Sequence, residues 1–388
     1  MHQPYAYLVL DGAWGSCGKG SLAGKLALDR KPDVIVCNFG PNAGHTFIKD
    51  GKSIMTQQVP TGAVYKGAKI LIGPGSMIDP FILAKELAML KEYEVEKRLV
   101  IHPRAAVVMP IDKEREGGLV TIGSTRKGTA SAACRKIMRV DEGYPRVANE
   151  CTSLSYAGSD TLYEIIGKFV VSVSEYDDII RNAEVIQIES AQGVELSLSR
   201  GYSYPTCTGR DVTPEQILND VAVPHRFLRE TNLVVRTFPI RVGNEYDASG
   251  KEIGHSGPVF PDQNEMTWDE ISKLAGVPLL ERTTVTKKVR RIFSFSKDQL
   301  AHALYLAGPC NIFLNYMNYF DPHTKGGINV ANQVAADFYE DLVSFVRGHG
   351  SNITWLGWGP AYGDVQKVGP EAIKWTPMES TPHLFRGL

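Results

Sequence analysis

Residues 12–21 read Gly-Ala-Trp-Gly-Ser-Cys-Gly-Lys-Gly-Ser and follow directly on the apolar run at 5–10. This pattern predicts a buried strand, a glycine-rich turn that carries one lysine, and a helix over 21–28. Such a turn forms an anion site, because free backbone N–H groups and the positive end of the helix dipole point at the same place. The lysine adds a positive charge, so the segment predicts a phosphate site.

The loop differs from a P-loop in two respects. Five residues rather than four separate Gly12 from Gly18, and Gly20 follows Lys19 where a P-loop has Ser or Thr. Taken alone, the segment is either a phosphate-binding loop or a surface turn with an incidental lysine. The motifs further along the chain favour the phosphate-binding loop.

The composition is that of an ordinary globular protein. The chain has 388 residues, of which 43% are hydrophobic and 22% charged, and its formal net charge is −1. This length suits one large α/β domain or two smaller ones. Because the net charge is close to zero, no global field favours a polyanion, and we expect neither nucleic acid nor a membrane as partner.

The spacing of the cysteines and the pattern of the first residues predict the cellular compartment of the protein. Six cysteines are scattered without a C-x-x-C pair, which predicts reduced thiols and no structural zinc site. The first residues lack the basic-then-apolar pattern of a signal peptide, and no apolar run reaches membrane-spanning length. We therefore expect a cytoplasmic protein, in the host cytoplasm if its source is viral.

Short apolar runs alternate with helical patterns, which predicts an α/β fold with a largely parallel β-sheet flanked by helices. The predicted strands are 5–10, 34–37, 69–72, 98–101, 185–189, 233–238, 311–315 and 352–356. Helices are predicted at 80–97, 160–170, 214–230, 268–274, 297–307 and 331–348, besides the one that follows the loop. We expect a single domain over 1–388, with a Gly- and Pro-rich ligand flap or long ordered loop at about 243–263.

Three further segments carry residue types suited to phosphate chemistry. Residues 38–46 read Asn-Phe-Gly-Pro-Asn-Ala-Gly-His-Thr after the second predicted strand, which places a histidine at a strand's carboxyl end. Residues 189–193 read Glu-Ser-Ala-Gln-Gly and offer an amide that both donates and accepts. Residues 121–128 read Thr-Ile-Gly-Ser-Thr-Arg-Lys-Gly and combine hydroxyls, glycines and cations.

In this order the segments resemble adenylosuccinate synthetase. The resemblance spans roughly residues 5–365 and implies the P-loop-like α/β fold of that family. The matching strings lie at 14–20, 42–46 (Asn-Ala-Gly-His-Thr), 122–128, 189–193, 241–243 (Arg-Val-Gly), 286–291 (Thr-Lys-Lys-Val-Arg-Arg) and 359–360 (Gly-Pro).

The resemblance implies a ligase that forms a C–N bond in two steps and that needs Mg²⁺. A nucleoside triphosphate phosphorylates O6 of a 6-oxopurine nucleotide after N1 loses its proton. The amine of L-aspartate then displaces the phosphate, which gives a succinylated 6-amino purine. In phosphoryl transfer most of the rate comes from positioning and electrostatics, so the residues that hold the phosphates carry the catalysis.

Carried over by position, the resemblance also implies residue roles. His45 acts as a general acid on the transferring phosphate, Lys19 holds the phosphates, and Gln192 contacts O6. Asn42, Thr125 and Thr208 hold the substrate 5′-phosphate, with Arg135 reaching in from the partner of a homodimer. Thr286 and Arg290 bind the aspartate carboxylates. Ser16 and the carbonyl of Gly44 lie at the magnesium position. The nucleoside triphosphate is bound by nine residues: Gly15, Cys17, Gly18, Lys19, Gly20, Asn315, Asn318, Gly359 and Pro360.

Ser16 stands where the family has an aspartate that serves as the base at N1 and as a magnesium ligand. A serine is shorter and uncharged, and it leaves room for a 2-amino group that a carboxylate crowds. This change is typical of the viral branch of the family, which makes a succinylated 2-aminoadenine deoxynucleotide from dGMP for diaminopurine synthesis. The base that replaces the aspartate stays open: Asp11 either supplies a carboxylate, directly or through water, or caps the strand.

Asn318 stands where the family has the aspartate that reads the guanine of GTP. An asparagine offers a donor and an acceptor, which suits the edge of adenine. Losing a charge-assisted pair costs roughly 1.5–3 kcal/mol, enough to remove a preference for GTP. We therefore expect ATP or dATP as phosphate donor; Tyr316 either stacks on the base or belongs to the core.

Lys288 replaces a family arginine near the ribose. A lysine is a point donor rather than a planar fork, so recognition of a ribose hydroxyl is expected to be relaxed. The sequence leaves open dGMP against GMP and ATP against dATP. It also leaves two other functions open, an ordinary adenylosuccinate synthetase that acts on IMP and a nucleotide-binding pseudoenzyme.

Overall fold

The computed structural model describes residues 3–117, 122, 124–139, 141–152, 161–283, 287–320 and 333–368. Its strands are β1 (Tyr5–Asp11), β2 (Val34–Cys37), β3 (His45–Lys49), β4 (Lys52–Thr56), β5 (Lys69–Ile72), β6 (Met77–Ile78), β7 (Leu99–Ile101), β8 (Ala106–Val107), β9 (Val185–Gly193), β10 (Leu228–Arg236), β11 (Ile240–Arg241), β12 (Glu245–Tyr246), β13 (Glu252–Gly254), β14 (Glu265–Met266), β15 (Arg291–Phe293), β16 (Asn311–Asn315), β17 (Asn352–Gly357) and β18 (Val365–Lys367). Its α-helices are α1 (Lys19–Arg30), α2 (Pro80–Met89), α3 (Pro110–Gly117), α4 (Thr129–Met138), α5 (Thr161–Gly167), α6 (Val173–Asn182), α7 (Pro214–Asp220), α8 (Trp268–Ala275), α9 (Lys297–Ala307) and α10 (Gln333–Gly348).

A nine-stranded sheet forms the centre of the fold, in the order β18-β17-β16-β10-β1-β9-β2-β5-β7. Its neighbouring strands are parallel, apart from the antiparallel edge pair of β17 and β18. The predicted largely parallel sheet is confirmed, and all eight predicted strands lie in it. The strands of this sheet come from residues 5 to 367, and the single domain over 1–388 stays a prediction.

Strand β1 lies between β10 and β9 and is covered on both faces. Leu8 and Leu10 contribute to the larger core, while Tyr7 and Val9 pack in a second core with side chains of α1 such as Leu22. A strand buried on both faces reads as a continuous apolar run, which is why the sequence indicated it. This position places the loop that follows β1 at the middle of the sheet's carboxyl edge.

Three predicted helices are shorter than their sequence patterns; the one predicted over 160–170, α5, ends at Gly167. Over 80–97 the helix α2 ends at Met89, and two 3₁₀ turns continue to Lys97, with Glu94 in a left-handed conformation at φ 53°. Over 214–230 the prediction is wrong beyond Asp220, because Pro224 has no N–H to continue a helix and β10 begins at Leu228. Pairing of that strand with β1 wins over local helix propensity.

Several elements were not predicted. Helix α6 carries a capping box from Ser172 and Glu175, a signal present in the sequence. Helices α3 and α4 and the hairpin of β3 and β4 were also missed. The expected flap contains a small antiparallel hairpin of β12 and β13. In the described part of the chain, the helices are all too short or too polar to cross a membrane.

Candidate functional site

A cavity of about 310 Å³ opens at the carboxyl edge of the central sheet. The loop after β1 and the start of α1 line it, together with the segments that follow β2, β9, β11 and β16. It brings together most of the predicted site: Gly15, Ser16, Gly18, Lys19, Gly20, Asn42, Gly44, His45, Thr125, Gln192, Thr208, Arg290, Asn315, Gly359 and Pro360.

Four predicted site residues do not line this cavity. Their side chains are buried beneath the loop, bound elsewhere or set back from the cavity wall, as described below; they are Cys17, Arg135, Lys288 and Asn318. Thr286 lies outside the described residues, so its predicted contact with aspartate stays a prediction.

The carboxylate of Asp11 organises the loop after β1. Its Oδ1 accepts from the backbone N–H of Ala13 at 3.0 Å and of Gly15 at 3.1 Å, and its Oδ2 accepts from that of Cys17 at 3.0 Å. Asp11 is fully buried and does not line the cavity. Of the two roles left open for it, the structure supports the structural one, because both carboxylate oxygens accept from the loop.

These contacts also correct the expectation that the loop N–H groups are free. Three of them donate to the Asp11 carboxylate. The N–H groups of Lys19 and Gly20, at the beginning of α1, remain for an anion. The N-cap, Gly18, adopts φ 97° and provides no side-chain cap, which leaves the first N–H groups of the helix for a ligand.

Lys19 and Gln192 both line the cavity and are joined by a hydrogen bond. The Nζ of Lys19 donates to the backbone carbonyl of Gln192 at 2.6 Å and lies 3.4 Å from Oδ2 of Asp11. An ammonium has three donors, so one remains for a phosphate oxygen. Gln192 adopts φ 63°, and its buried Nε2 has no hydrogen-bond partner among the described residues. A buried amide donor without a partner at a cavity wall is suited to a ligand oxygen.

His45 is held by two contacts on its ring. Its Nδ1 lies 3.1 Å from Oε1 of Glu189, and the ring stacks on Phe39 with centroids 4.0 Å apart. Thr61 also donates to Glu189 from its backbone N–H, at 2.9 Å. With Nδ1 at the carboxylate, Nε2 is the nitrogen left for a ligand. Burial lowers the pKa of His45, and the carboxylate of Glu189 opposes that shift.

Ser16 is exposed in the cavity and adopts φ 61°. Its backbone carbonyl accepts from Nη1 of Arg236 at 3.0 Å, and its hydroxyl has no hydrogen bond to the described residues. The guanidinium therefore supports the loop from below while the hydroxyl faces the ligand space. Arg236 was missed by the sequence analysis, although a charged residue that ends an apolar strand is a usable signal.

Arg236 belongs to a buried cluster at the wall of the cavity. Its guanidinium lies 3.8 Å from the ring centroid of Tyr316, and its Nη2 donates to Oε1 of Glu281 at 2.5 Å. The hydroxyl of Tyr319 donates to the same oxygen. Tyr316 and Glu281 both line the cavity, and no local sequence pattern indicated Glu281. The stacking partner of Tyr316 in the structure is an arginine.

Two arginines bring positive charge to the cavity. Arg290 lines it, and its guanidinium makes no hydrogen bond to the described residues. Burial lowers the pKa of Arg290. Arg241 donates to the carbonyls of Pro258 and Thr206, both at 3.1 Å, and lies 4.6 Å from the ring centroid of Trp14. Burial and the nearby Arg291 lower its pKa to about 9.

Asn315 and Asn318 differ in their surroundings. The Nδ2 of Asn315 donates to the carbonyl of Cys17 at 3.0 Å, so the first asparagine fastens the loop after β1. A side chain at Gly18 has no room there, because a Cβ would lie 2.1 Å from Nδ2 of Asn315. Asn318 lies in the 3₁₀ turn that follows β16, and its buried Oδ1 has no hydrogen-bond partner in the part of the chain that the structure describes.

Cys17 and Arg135 have their polar groups engaged inside the chain. Cys17 is fully buried, with its N–H on Asp11 and its carbonyl on Asn315. Arg135 is 3% exposed, and its Nε and Nη2 donate to the carboxylate of Asp112 at 2.9 and 2.8 Å. A reach of Arg135 into a partner's site requires it to leave this ion pair, and the dimer stays a prediction.

Lys288 points toward the flap. Its Nζ lies 3.1 Å from Oε1 of Glu245, whose other oxygen accepts from Nη2 of Arg126 at 2.5 Å. The side chain is half exposed and does not line the cavity. The predicted approach of Lys288 to the ribose therefore depends on release from Glu245.

In the described ranges, no group of three or more His, Cys, Asp or Glu side chains is arranged to hold a metal ion. The oxygens at the predicted magnesium position are the hydroxyl of Ser16 and the carbonyl of Gly44, and both residues are exposed in the cavity. These are hard, neutral donors, which fit a Mg²⁺ ion bound mainly by substrate phosphates and water.

Replacing Glu189 by glutamine is expected to lower the pKa of His45 further. The carboxylate is the group that opposes the effect of burial on the imidazole, so removing its charge leaves burial unopposed. An NMR titration of the His45 ring measures this directly. The variant Glu184→Gln, which removes an exposed carboxylate just before β9, serves as the control. An unchanged or higher pKa in Glu189→Gln would contradict the assigned contact.

Comparison with known sequences identifies the family. A family model described as adenylosuccinate synthetase matches residues 8–150. The N6-succino-2-amino-2'-deoxyadenylate synthase of Salmonella phage PMBT28 is 35% identical over 372 residues, which cover 93% of this chain and 96% of the phage protein. The adenylosuccinate synthetase of Thermococcus onnurineus is 30% identical over 347 residues, which cover 87% of this chain and 91% of the archaeal protein.

A solved structure agrees with these matches. The succinoaminodeoxyadenylate synthetase of cyanophage S-2L, determined bound to dGMP and dATP as an energy donor, superposes with a TM-score of 0.79 at 31% identity. The superposition covers 96% of this chain and 97% of the cyanophage chain. The expected resemblance is confirmed: the chain belongs to the adenylosuccinate synthetase family of carbon–nitrogen ligases.

Proposed function

We propose that this enzyme ligates L-aspartate to C6 of dGMP, with ATP or dATP as phosphate donor, to form N6-succino-2-amino-2'-deoxyadenylate. The observation that carries the proposal is Ser16, a small neutral side chain exposed in the cavity at the loop position where the family has an aspartate. A 2-amino group fits beside a serine hydroxyl and is crowded by a carboxylate. The names of the phage relatives, and the dGMP bound to the cyanophage enzyme, support the same substrate.

In the first step the N1 proton of the purine passes to solvent, O6 attacks the terminal phosphorus of the donor, and the bond to the nucleoside diphosphate breaks. Lys19 and the first N–H groups of α1 stabilise the transferring phosphate through charge and dipole. His45 presents Nε2 as the acid, with Nδ1 fixed by Glu189. The unpartnered Nε2 of Gln192 donates to O6.

In the second step the amine of L-aspartate bonds to C6, the C6–O bond breaks, inorganic phosphate leaves, and the nitrogen loses a proton. The guanidinium of Arg290, which donates no hydrogen bond to the described residues, binds an aspartate carboxylate. Thr286 is the predicted second contact. Because burial already disfavours the charge on Arg290, a carboxylate there restores a favourable pairing.

The proposal assigns the nucleotide 5′-phosphate to hydroxyl and amide groups of Asn42, Thr125 and Thr208, which all line the cavity. A homodimer with Arg135 as a cross-subunit contact is also part of the proposal. Mg²⁺ would be held by Ser16 and the carbonyl of Gly44, and it would neutralise charge on the donor phosphates.

The test offers dGMP, GMP, dIMP and IMP separately to the enzyme with magnesium, ATP and L-aspartate. Phosphate release is followed, and the product is identified by mass. Turnover with dGMP and a succinylated product support the proposal. Vigorous turnover of IMP with none of dGMP would instead support an ordinary adenylosuccinate synthetase. Thermal stabilisation by nucleotides without phosphate release from any pair would support a pseudoenzyme.

Ser16→Asp is expected to shift selectivity toward IMP. The added carboxylate crowds the 2-amino group and restores the family's charge, so the ratio of kcat/KM for dGMP to that for IMP should fall by about tenfold or more. Ser16→Ala is the matched control, because it removes the hydroxyl without adding bulk or charge and should keep the preference for dGMP. Unchanged selectivity in Ser16→Asp would refute this role.

Asn318→Asp is expected to favour GTP over ATP as donor. The buried Oδ1 of Asn318 accepts no hydrogen bond from the described residues. An amide in this position suits adenine, whereas a carboxylate suits the donors of guanine. The ratio of kcat/KM for ATP to that for GTP should fall by about tenfold or more. In the control Asn318→Ala, kcat/KM for ATP should fall while kcat/KM for GTP does not rise. If Asn318→Asp still prefers ATP, the donor base is recognised by other residues.

A further inference from the structure

Two residues of opposite charge, Glu281 and Arg290, line the same cavity and interact electrostatically. The backbone N–H of Arg290 donates to the backbone carbonyl of Glu281 at 3.1 Å, so the two residues are neighbours on adjacent chain segments. Both side chains line the cavity. Arg290 is the predicted carboxylate contact, whereas Glu281 has no role in the function proposed above. A carboxylate next to a phosphate- and carboxylate-binding site needs a reason, because it repels anions.

The two oxygens of Glu281 have different surroundings. Oε1 accepts from Nη2 of Arg236 and from the hydroxyl of Tyr319, whereas Oε2 accepts no hydrogen bond from the described residues. The side chain is 23% exposed, and the residue lines the cavity. One oxygen is therefore fixed and the other is available to a donor in the cavity.

Glu281 remains a carboxylate in this position. Burial by itself would raise its pKa, but the charge and hydrogen bond of Arg236 outweigh that effect, and together with Tyr319 and Arg290 they hold the pKa of Glu281 below its ordinary value. The cavity wall thus carries a carboxylate on a residue whose backbone neighbours that of Arg290. An α-amino acid carries a carboxylate and an ammonium close together.

We infer that Oε2 of Glu281 binds the α-nitrogen of L-aspartate while Arg290 binds a carboxylate of the same molecule. This inference rests on the proposed ligase function and extends it to the recognition of the amino group. A hydrogen bond from the nitrogen to a fixed oxygen orients the attacking amine toward C6. It also discriminates against dicarboxylates that lack the amino group, because they leave the Glu281 anion unpaired.

The experiment compares L-aspartate with succinate, which has both carboxylates and no α-nitrogen. In Glu281→Gln the KM for L-aspartate is expected to rise about 10- to 100-fold, since a charged hydrogen bond is lost. The inhibition constant of succinate is expected to stay the same or to fall, because the repulsive charge is gone. The KM values for the nucleotide substrate and for ATP are expected to change less than about twofold.

Glu230→Gln is the matched control. Glu230 accepts from Arg30 and from the hydroxyl of Tyr5, the same two donor types that hold Glu281, but it does not line the cavity. Its replacement should leave the kinetic constants for aspartate and succinate unchanged. This control separates the loss of an arginine–tyrosine–carboxylate cluster from the loss of a ligand contact.

Other outcomes would overturn the inference. Equal losses for aspartate and succinate would show that Glu281 only supports the wall through Arg236, and a change in the KM for ATP alone would place the contact on the donor nucleotide. If Glu281→Gln does not fold, Glu281→Asp provides the same comparison, with the charge kept and the oxygens withdrawn. Its aspartate KM should rise without a matching loss of succinate binding.

The nucleotide used in this experiment is whichever one the wild-type enzyme turns over. Failure of the proposed substrate appears as a lack of turnover with dGMP in the wild type, before any variant is compared. If IMP is the substrate instead, the aspartate and succinate constants are measured with IMP, and the inference about Glu281 succeeds or fails separately. If no nucleotide is turned over, aspartate binding to the wild type and to Glu281→Gln is measured by calorimetry with dGMP and ATP present, and equal affinity refutes the inference.

Discussion

The site depends on the hydrogen bonds between the carboxylate of Asp11 and the loop that follows β1. Asp11 ends the central strand and accepts from the backbone N–H groups of three residues in the loop that follows, and it lies 3.4 Å from the ammonium of Lys19. A buried carboxylate is stable only with such donors around it, and a loop of this shape needs an acceptor at its centre. The loop N–H groups supply the donors that the carboxylate needs, and the carboxylate supplies the acceptor that the loop needs. The loop is thereby fixed at the edge of the cavity.

The remaining buried charges arrange the cavity wall around this loop. Glu189 orients the ring of His45, and Arg236 joins the Ser16 carbonyl to Glu281. In a low-dielectric wall these pairs stay in fixed positions, since an unpaired charge there would be costly. The groups left without partners, such as Nε2 of Gln192, then face the ligand. Some polar groups of the cavity wall are therefore paired within the protein and stabilise it, whereas others remain available to bind substrates.

Much of this architecture could be predicted from the sequence. The eight apolar runs all became strands of the central sheet, because strands buried on both faces need continuous apolar sequence. The loop with Lys19, the His45 segment and Gln192 all came to one cavity, as parallel strands present their carboxyl ends on one edge. The stretch 221–230 was wrongly predicted as helix, since Pro224 and pairing with β1 decided it.

The sequence by itself determined the sheet, the family and the residues at the strand ends, because these depend on local patterns and on motifs a few residues long. The tertiary structure decided which of the polar residues are free. Asp11 turned out to serve the loop, Arg135 to pair with Asp112, and Lys288 to reach Glu245. Glu281 also acquired its place only through Arg236 and Tyr319. Such contacts join residues that are far apart in the chain, and no local pattern records which partner a buried charge will find.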